Sequence, residues 1–290
     1  MSIYDQYTAR DLLDIVIQKD TASFAFQPII SNYPEEEYPA YWEALTRIEH
    51  IDEESINIEE FVMYLEAHNE VIRFDLSRLD SLIKTIPMFS DHTTITWNAS
   101  GFTVSNDSAV NHTITAITRA KIQDRIIIEI TETALDRDKK ILQENVMRLA
   151  QNDIQSFMDD FGQGWANIES LQGIPYRGMK ISRPLFLTSL TSNVATEMVK
   201  GIINFSRDKD MIVVIEGIED MEQLKAAIAL GPTHCQGYLF SKPKNLGEIR
   251  TDELIAKCRD FFSPGHSPIH HVPGPPLATT GSKAISLSPQ

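Results

Sequence analysis

Eight short apolar runs recur along the chain between residues 20 and 262, and amphipathic segments separate them. The runs are four to eight residues long, rich in β-branched residues and mostly bounded by turn formers, a pattern that predicts β-strands. Strands that alternate with helices predict a parallel sheet, and eight strands favour a closed α/β barrel over an open sheet. The predicted strands are residues 23–30, 40–45, 93–97, 125–130, 154–160, 178–181, 211–216 and 234–240.

The amphipathic segments predict the helices that connect these strands. Residues 58–86 are long enough for two helices, and residues 220–230 end at Gly231 and Pro232, which are typical helix stop signals. The other predicted helices are residues 107–120, 139–151 and 190–208.

The segment from Ser263 to Gln290 differs in composition from everything before it. It is rich in Pro, Gly, Ser and Thr, and such a segment cannot bury a core. We therefore expect one barrel domain over residues 1–262 and a disordered tail over residues 263–290.

The formal net charge of −15 limits the partners that the chain can bind. Because a polyanion would be repelled, this charge argues against non-specific nucleic-acid binding, and a nucleotide substrate would need cations held locally. There is no stretch of about 18 apolar residues for a membrane span, and the polar, acidic N-terminus is unlike a secretory signal. Cys235 and Cys258 are the only cysteines and build no disulfide framework, which fits the reducing cytoplasm.

A polar residue stands where almost every apolar run stops. Period-two alternation puts Glu129 on the same face as Ile127, and Glu216 on the same face as Val214. In a barrel that face is the interior, and the carboxyl ends of the strands converge at one mouth. The residues predicted to meet there are Glu43, Asn98, Glu129, Asp159, Asp160, Lys180, Glu216 and Gln236.

Five carboxylates in one pocket repel one another, and divalent cations are the natural remedy. Oxygen ligands favour Mg²⁺ or Mn²⁺ over Zn²⁺, and two such ions form the usual clamp for displacement at phosphorus. Taken singly, each residue has a simpler interpretation. A glutamate after a strand is often solvated or caps a helix, Asp159 and Asp160 are turn formers, and Lys180 is long enough to reach solvent.

These residues also carry a family resemblance. Glu43-Ala44-Leu45 with Arg47 resembles the signature of the EAL-domain cyclic di-GMP phosphodiesterases. The resemblance covers roughly residues 10 to 255, and several motifs in the right order make it specific. The further matches are Phe26-Gln27-Pro28-Ile29, Asn98-Ala99-Ser100, Glu129-Ile130-Thr131-Glu132, Asp159-Asp160-Phe161-Gly162 with Gly164, Lys180-Ile181, Glu216-Gly217-Ile218-Glu219, and Gln236-Gly237-Tyr238 with Lys242-Pro243.

The resemblance implies a modified TIM (β/α)8 barrel that hydrolyses cyclic di-GMP to linear 5′-pGpG with two Mg²⁺ or Mn²⁺ ions, and that forms a homodimer. By position, Lys180 matches the lysine that orients the attacking water, and Glu216 matches the proposed general base. Glu132 matches a glutamate that braces the loop after Asp160, a loop linked to dimerisation. The positions that match metal ligands are Glu43, Asn98, Glu129, Asp159, Asp160 and Glu216. Further catalytic positions are Glu219 and Gln236, and those that match nucleotide contacts are Gln27, Leu45, Arg47 and Gln236.

The chain departs from the family pattern at positions that concern rate and regulation. Gln163 stands where the family usually has Thr, and Ser182 replaces the Asp that often follows the lysine. Neither change removes a metal ligand or Lys180. The main hypothesis is therefore an active phosphodiesterase. The alternative is a catalytically weak cyclic di-GMP receptor, or a protein-interaction module on the same fold.

Overall fold

The computed structural model of the chain describes residues 2–32, 40–48, 50–51, 54–131, 139–163 and 173–262. The predicted tail of residues 263–290 and Glu132 lie outside the described residues. The strands are β1 (Ala22–Ser31), β2 (Tyr41–Ile48), β3 (His50–Ile51), β4 (Glu54–Ser55), β5 (Thr94–Ala99), β6 (Ile126–Thr131), β7 (Gln155–Phe161), β8 (Gly178–Ile181), β9 (Ile212–Ile215), β10 (His234–Gln236) and β11 (Lys244–Asn245).

Helices connect most of these strands, as the amphipathic segments predict. None of the helices in the described ranges is both long enough and apolar enough to cross a membrane. The helices are α1 (Ile3–Gln6), α2 (Ala9–Gln18), α3 (Ile58–Ala67), α4 (Val71–Thr85), α5 (Gly101–Val104), α6 (Asp107–Ala120), α7 (Lys139–Gln151), α8 (Arg183–Ser189), α9 (Asn193–Asp208), α10 (Met221–Leu230) and α11 (Thr251–Phe261).

Within the described residues, eight strands close into one barrel in the order β1, β2, β5, β6, β7, β8, β9 and β10, and β10 pairs back onto β1. The predicted barrel is therefore confirmed, and each of its strands overlaps one of the eight apolar runs. From β2 round to β10 every pair of neighbours is parallel. The carboxyl ends of these seven strands consequently lie at the same mouth.

The prediction of a parallel sheet is wrong for the first strand. β1 runs antiparallel to both of its neighbours, β2 and β10. A parallel connection needs a dozen or more residues, usually including a helix, whereas only residues 32–40 separate β1 from β2. The chain therefore reverses directly after β1, and an antiparallel strand closes the barrel.

Two predicted boundaries also differ from the structure. The predicted helix over residues 190–208 begins at Asn193, because the Ser192 side chain caps it by accepting a hydrogen bond from the Ala195 amide, and α8 precedes it as a separate helix. The predicted strand over residues 234–240 ends at Gln236. Gly237 then lies so close to Ile218 that a Cβ atom would come within 2.0 Å of the Ile218 carbonyl oxygen.

The barrel interior is apolar at one end and polar at the other. Its apolar end is a small cluster contributed by four strands, and the inward position of Ile127 and Val214 confirms the period-two prediction for their strands. A larger core lies between the strands and the surrounding helices, and a second core lies between the N-terminal helices, α3 and the start of α4. The interior cluster is Ile29, Ile127, Phe157, Ile212 and Val214.

Asp75 is a charged residue on the buried face of α4. Its carboxylate Oδ2 accepts hydrogen bonds from the Ser100 amide at 2.9 Å and the Thr103 hydroxyl at 2.5 Å. Burial raises the pKa of Asp75 to about 7, and Glu66 adds to the effect. The folded protein therefore holds this proton more tightly than the unfolded chain does.

This raised pKa predicts how stability depends on pH. Because the unfolded aspartate has the ordinary pKa of 3.8, stability from the protonated form is full below about pH 4 and is lost as the pH rises to about 7. Asp75→Asn should remove this pH-dependent part of the free energy of unfolding, which changes by up to about 1.4 kcal/mol per pH unit. Chemical denaturation of the parent and of Asp75→Asn from pH 4 to 8 gives the free energy of unfolding of each. The contributions of the other titrating groups cancel in the difference between the two. Parallel stability curves would contradict the prediction.

Candidate metal centre

The strand ends bring the predicted polar side chains together around Lys180. This lysine is the next-to-last residue of β8, and its side chain is 1% exposed. Among the described residues, four carboxylates surround its ammonium group. The distances from Lys180 Nζ are 2.8 Å to Glu216 Oε1, 3.1 Å to Glu129 Oε2, 3.2 Å to Asp159 Oδ1 and 3.3 Å to Glu43 Oε2.

Neutral side chains hold Glu43 in place. Asn98 Nδ2 donates a hydrogen bond to Glu43 Oε1 at 2.9 Å, and Gln236 Nε2 donates to Glu43 Oε2 at 2.6 Å. Gln27 lies opposite Glu43 in the pairing of β1 with β2, and it accepts a 3.4 Å contact from Gln236 Nε2. The Gln27 amide nitrogen donates to the Ser241 carbonyl oxygen at 3.1 Å. The antiparallel β1 therefore contributes to the same site as the parallel strands.

The cluster carries more negative charge than Lys180 neutralises. Burial alone would lower the pKa of Lys180, but the surrounding carboxylates raise that pKa well above its usual value. For Glu43, burial opposes ionisation, yet Lys180 and the hydrogen bonds from Asn98 and Gln236 leave its pKa below the usual value. In the described residues this leaves four further carboxylates: Glu129, Asp159 and Glu216 contact the same ammonium group, and Asp160 adds a negative charge next to Asp159.

Those four carboxylates all have raised pKa values. Burial raises the pKa of Glu129 well above its usual value, and Glu43 and Asp159 add to the effect. The pKa of Asp159 rises for the same reason. Burial raises the pKa of Asp160 to about 6, with a contribution from Asp159, and that of Glu216 to about 8 against the opposing effect of Lys180. The raised pKa values mean that the buried site stabilises protons, or other cations, at these carboxylate oxygens.

The arrangement of oxygens fits two divalent cations. One group of ligand atoms belongs to Glu43, Glu129 and Asp159, and a second belongs to Asp159, Asp160 and Glu216. Within each group the oxygen atoms lie within 4.8 Å of one another, and Asp159 belongs to both. Glu129 Oε1 is buried and has no hydrogen-bond partner among the described residues. An unpaired, buried carboxylate oxygen is a ready metal ligand, and an all-oxygen donor set suits Mg²⁺ or Mn²⁺.

The charge balance agrees with this fit. The five carboxylates and Lys180 of the described cluster carry a formal charge of −4 when ionised, which two divalent cations would neutralise.

Asp160 has φ = 58°, in the left-handed region, and its amide donates to Asp159 Oδ1 at 2.9 Å. This unusual backbone turns the two consecutive aspartates toward the same centre.

Some predicted site residues are not brought into the cluster. The Glu219 carboxylate is 45% exposed and pairs with Arg183 at 2.9 Å. Arg47 and Leu45 are half-buried near the end of β2, and the Arg47 guanidinium donates to the Thr46 carbonyl oxygen at 3.0 Å. Glu132 lies outside the described residues.

The structure also adds contacts that sequence reasoning missed. The aliphatic part of Arg183 occupies the space beside Gly217, where a Cβ atom would come within 2.3 Å of Arg183 Cγ. Gly217 has φ = 73° and directly follows Glu216, so Arg183 packs against the backbone of a cluster residue. The Gln163 side chain donates to Asp160 Oδ1. The departure of Gln163 from the family pattern was a sequence signal that could have pointed to its contact with Asp160. Nothing in the sequence pattern pointed to the contact of Arg183 with Gly217.

Comparison with known protein families gives one match that covers most of the chain. The model of the EAL domain matches residues 9–243. The probable cyclic di-GMP phosphodiesterase PdeA of Escherichia coli (strain K12) is 28% identical over 83% of this chain and 32% of its own length. The cyclic di-GMP phosphodiesterase RocR of Pseudomonas aeruginosa is 30% identical over 41% of this chain and 30% of its own. The chain thus spans no more than about a third of the length of these relatives.

Solved structures share the fold. The EAL domain of FimX from Pseudomonas aeruginosa, bound to c-di-GMP, superposes with a TM-score of 0.74 at 18% identity, over 84% of this chain and all of that one. The PaMucR phosphodiesterase in complex with c-di-GMP gives a TM-score of 0.75 at 21% identity, with the same coverage. At these identities the similarity concerns the barrel itself.

Proposed function

Because the chain belongs to the EAL domain family, we propose that it hydrolyses cyclic di-GMP to linear 5′-pGpG with two Mg²⁺ or Mn²⁺ ions. The observation that supports this most is the buried cluster in which Asp159 belongs to two groups of carboxylate oxygens beside Lys180. A receptor that only bound the nucleotide would not need so many unneutralised carboxylates, which are costly to bury.

In this proposal the two ligand groups hold one cation each. Glu43, Asn98, Glu129 and Asp159 would hold the first, and Asp159, Asp160 and Glu216 the second. When bound, the two ions acidify the attacking water and neutralise charge at the phosphorus.

The protein's own residues then direct the reaction. Lys180 Nζ donates a hydrogen bond that orients the attacking water, and Glu216 accepts the proton of that water as the general base. The water oxygen bonds to phosphorus as the bond from phosphorus to the ribose 3′ oxygen breaks. The 3′ oxygen leaves with the electron pair of that bond and takes up a proton from solvent to become the 3′ hydroxyl, so the ring opens and a 5′-phosphate is left. Gln236 keeps Glu43 oriented, as its 2.6 Å hydrogen bond already does.

Residues at the mouth are proposed to bind the nucleotide. Gln27, Leu45, Arg47 and Gln236 lie on the strands that close the barrel, and Arg47 supplies a cation in a chain with net charge −15. Glu219 is proposed as a further catalytic residue, which requires it to leave Arg183 when substrate is bound. We assign Glu132 the bracing of the loop after Asp160.

The proposed compartment, oligomeric state and domain bounds follow from membership of the EAL domain family and from the sequence. We propose that the protein acts in the cytoplasm as a homodimer, as a barrel domain of residues 1–262 followed by a tail. Both cysteines, Cys235 and Cys258, are buried and free, which suits a reducing compartment.

The direct test of the function is incubation of the purified protein with cyclic di-GMP and Mg²⁺, with the products separated by chromatography. We expect conversion to 5′-pGpG. Binding of cyclic di-GMP without product, measured by calorimetry under the same conditions, would identify a receptor instead. No binding and no turnover would identify a protein-interaction module that has lost the nucleotide.

The identity of the cation gives a further prediction. We expect turnover with Mg²⁺ or Mn²⁺ and inhibition by Ca²⁺, because Ca²⁺ prefers longer bonds and more ligands and would misplace the water relative to phosphorus. Turnover is measured after chelation and addition of each ion separately, and then with Ca²⁺ added against fixed Mg²⁺. Full turnover in Ca²⁺ alone would contradict the two-ion proposal.

A further inference from the structure

Asp75 is a buried carboxylate that the proposed chemistry does not use. It is 5% exposed, and it forms no ion pair with Lys, Arg or His in the part of the chain that the structure describes. Burial of an unpaired carboxylate costs free energy, and an apolar residue at such a position is often more stable. The stability of α4 alone therefore does not explain an aspartate here.

Both hydrogen bonds to Asp75 Oδ2 come from one short segment, the β5–α5 corner, which comprises residues 100–104. The Ser100 amide and the Thr103 hydroxyl are the donors. A second carboxylate binds the same corner from α3, because the Ser100 hydroxyl donates to Glu66 Oε1 at 2.5 Å. The Ser100 hydroxyl also accepts from the Phe102 amide at 3.2 Å and so begins α5. Two helices thus fix the same point of the chain.

The β5–α5 corner begins two residues after Asn98. Asn98 is in register with Glu129 on β6, and its amide donates to Glu43 Oε1 at 2.9 Å. A displacement of Ser100 would therefore rotate or shift the end of β5 and lengthen the hydrogen bond to Glu43. The described contacts form a continuous path from Asp75 through Ser100 and Asn98 to Glu43.

We propose that Asp75 is a positioning residue, which fixes the β5–α5 corner so that Asn98 holds Glu43 in the orientation that binds a divalent cation. Glu66 acts on the same corner from α3. The inference rests on the proposed function, because it assumes that Glu43 and Asn98 bind the cation. Groups that orient metal ligands in this way typically contribute about 10- to 100-fold to metal affinity or activity.

The experiment compares Asp75→Ala with Asp75→Asn in the full chain. Mn²⁺ binding is measured by titration calorimetry in the absence of nucleotide, and kcat and KM for cyclic di-GMP are measured separately. We expect Asp75→Ala to weaken Mn²⁺ binding and to lower kcat, each by about 10- to 100-fold, with KM within about threefold. Asp75→Asn keeps an oxygen that accepts both hydrogen bonds, so we expect it to restore Mn²⁺ affinity to within about threefold of the parent.

The matched control is Asn145→Ala. Asn145 is fully buried on α7 and donates to the Val104 carbonyl oxygen, at the far end of the same corner. Its replacement destabilises the corner without removing a contact to Ser100, and we expect Mn²⁺ affinity to stay within about threefold of the parent. Glu66 is only half-buried, so Glu66→Ala serves if Asp75→Ala does not fold, with a loss of Mn²⁺ affinity in the same direction.

The outcomes separate the two proposals. If the parent binds Mn²⁺ and the Asp75 and Asn145 variants lose affinity equally, or neither Asp75→Ala nor Glu66→Ala loses any, the positioning role is wrong. A parent that binds Mn²⁺ without hydrolysing cyclic di-GMP would overturn the proposed hydrolysis and leave the positioning role to be decided by the Mn²⁺ titrations. A parent that binds no Mn²⁺ would contradict both.

Discussion

Glu43→Ala is expected to lower the rate of cyclic di-GMP hydrolysis by more than about a hundredfold. The change removes one anionic ligand and leaves the amide groups of Asn98 and Gln236, and the ammonium group of Lys180, without the acceptor that they share. Loss of ligand and loss of alignment should act together, because in the proposed mechanism both ions would be needed to activate the water and neutralise charge at phosphorus. The measurement is kcat/KM at saturating Mg²⁺.

The fold of the Glu43→Ala protein should be intact. A residue at the mouth of a barrel serves function more than packing. Glu197→Ala is the matched control, because Glu197 is an exposed glutamate on α9 that pairs with Lys200 away from the cluster, and its kcat/KM should equal that of the parent. Near-normal turnover of Glu43→Ala in the presence of ample Mg²⁺ would place the active site elsewhere.

Lys180→Ala should have two separable effects. Its loss leaves the buried carboxylates without a positive charge, and breaking such a cluster typically costs about 3–5 kcal/mol. We therefore expect the metal-free protein to lose about that much stability at pH 8. A high pH is chosen because fewer of the carboxylates are then protonated, so that their negative charges repel one another more strongly. Loss of the donor to the attacking water should also lower kcat by about two to three decades, even with Mg²⁺ saturating.

Denaturation in the presence of chelator, and again with Mn²⁺, distinguishes the two effects. The cations replace the missing positive charge, so Mn²⁺ should stabilise Lys180→Ala more than it stabilises the parent, while kcat stays low. Lys200→Ala is the control, because its ion pair with Glu197 is exposed and worth no more than about 1 kcal/mol. A kcat within about threefold of the parent would make Lys180 a structural counter-charge only.

Period-two alternation was sufficient to predict that Glu129 and Glu216 point to the same end of the barrel interior. Glu129 and Glu216 follow inward-facing apolar residues by two positions, and parallel strands must bring such residues to one mouth. The amphipathic pattern and the helix stop signal are similarly local, so the helix over residues 107–120 and the helix end at Gly231 were predicted as the structure has them. These features depend only on residues near one another in sequence.

Features that depend on distant residues were not predictable in this way. The pairing of β1 with β10 depends on residues about 200 positions apart, which no local pattern of β1 reveals, whereas the short connection to β2 was a usable signal for an antiparallel β1. The contact of Glu219 with Arg183 depends on where α8 begins relative to the loop after β9. Asp75 had a usable signal, because it interrupts the apolar face formed by Val71, Phe74 and Leu79 at helical spacing.

The antiparallel β1 also has a consequence for the order of events during protein synthesis. β1 is made early, whereas β10, which pairs with its other edge from Ile29 to Ser31, is made near the end of the described chain. Pairing between residues so far apart in sequence is slow, and until it occurs one edge of β1 stays unpaired and open to association with other chains. Gln27 and Gln236, which lie on these two strands, meet only at that step. A nascent chain therefore completes this part of the proposed nucleotide-binding site only after β10 has been made.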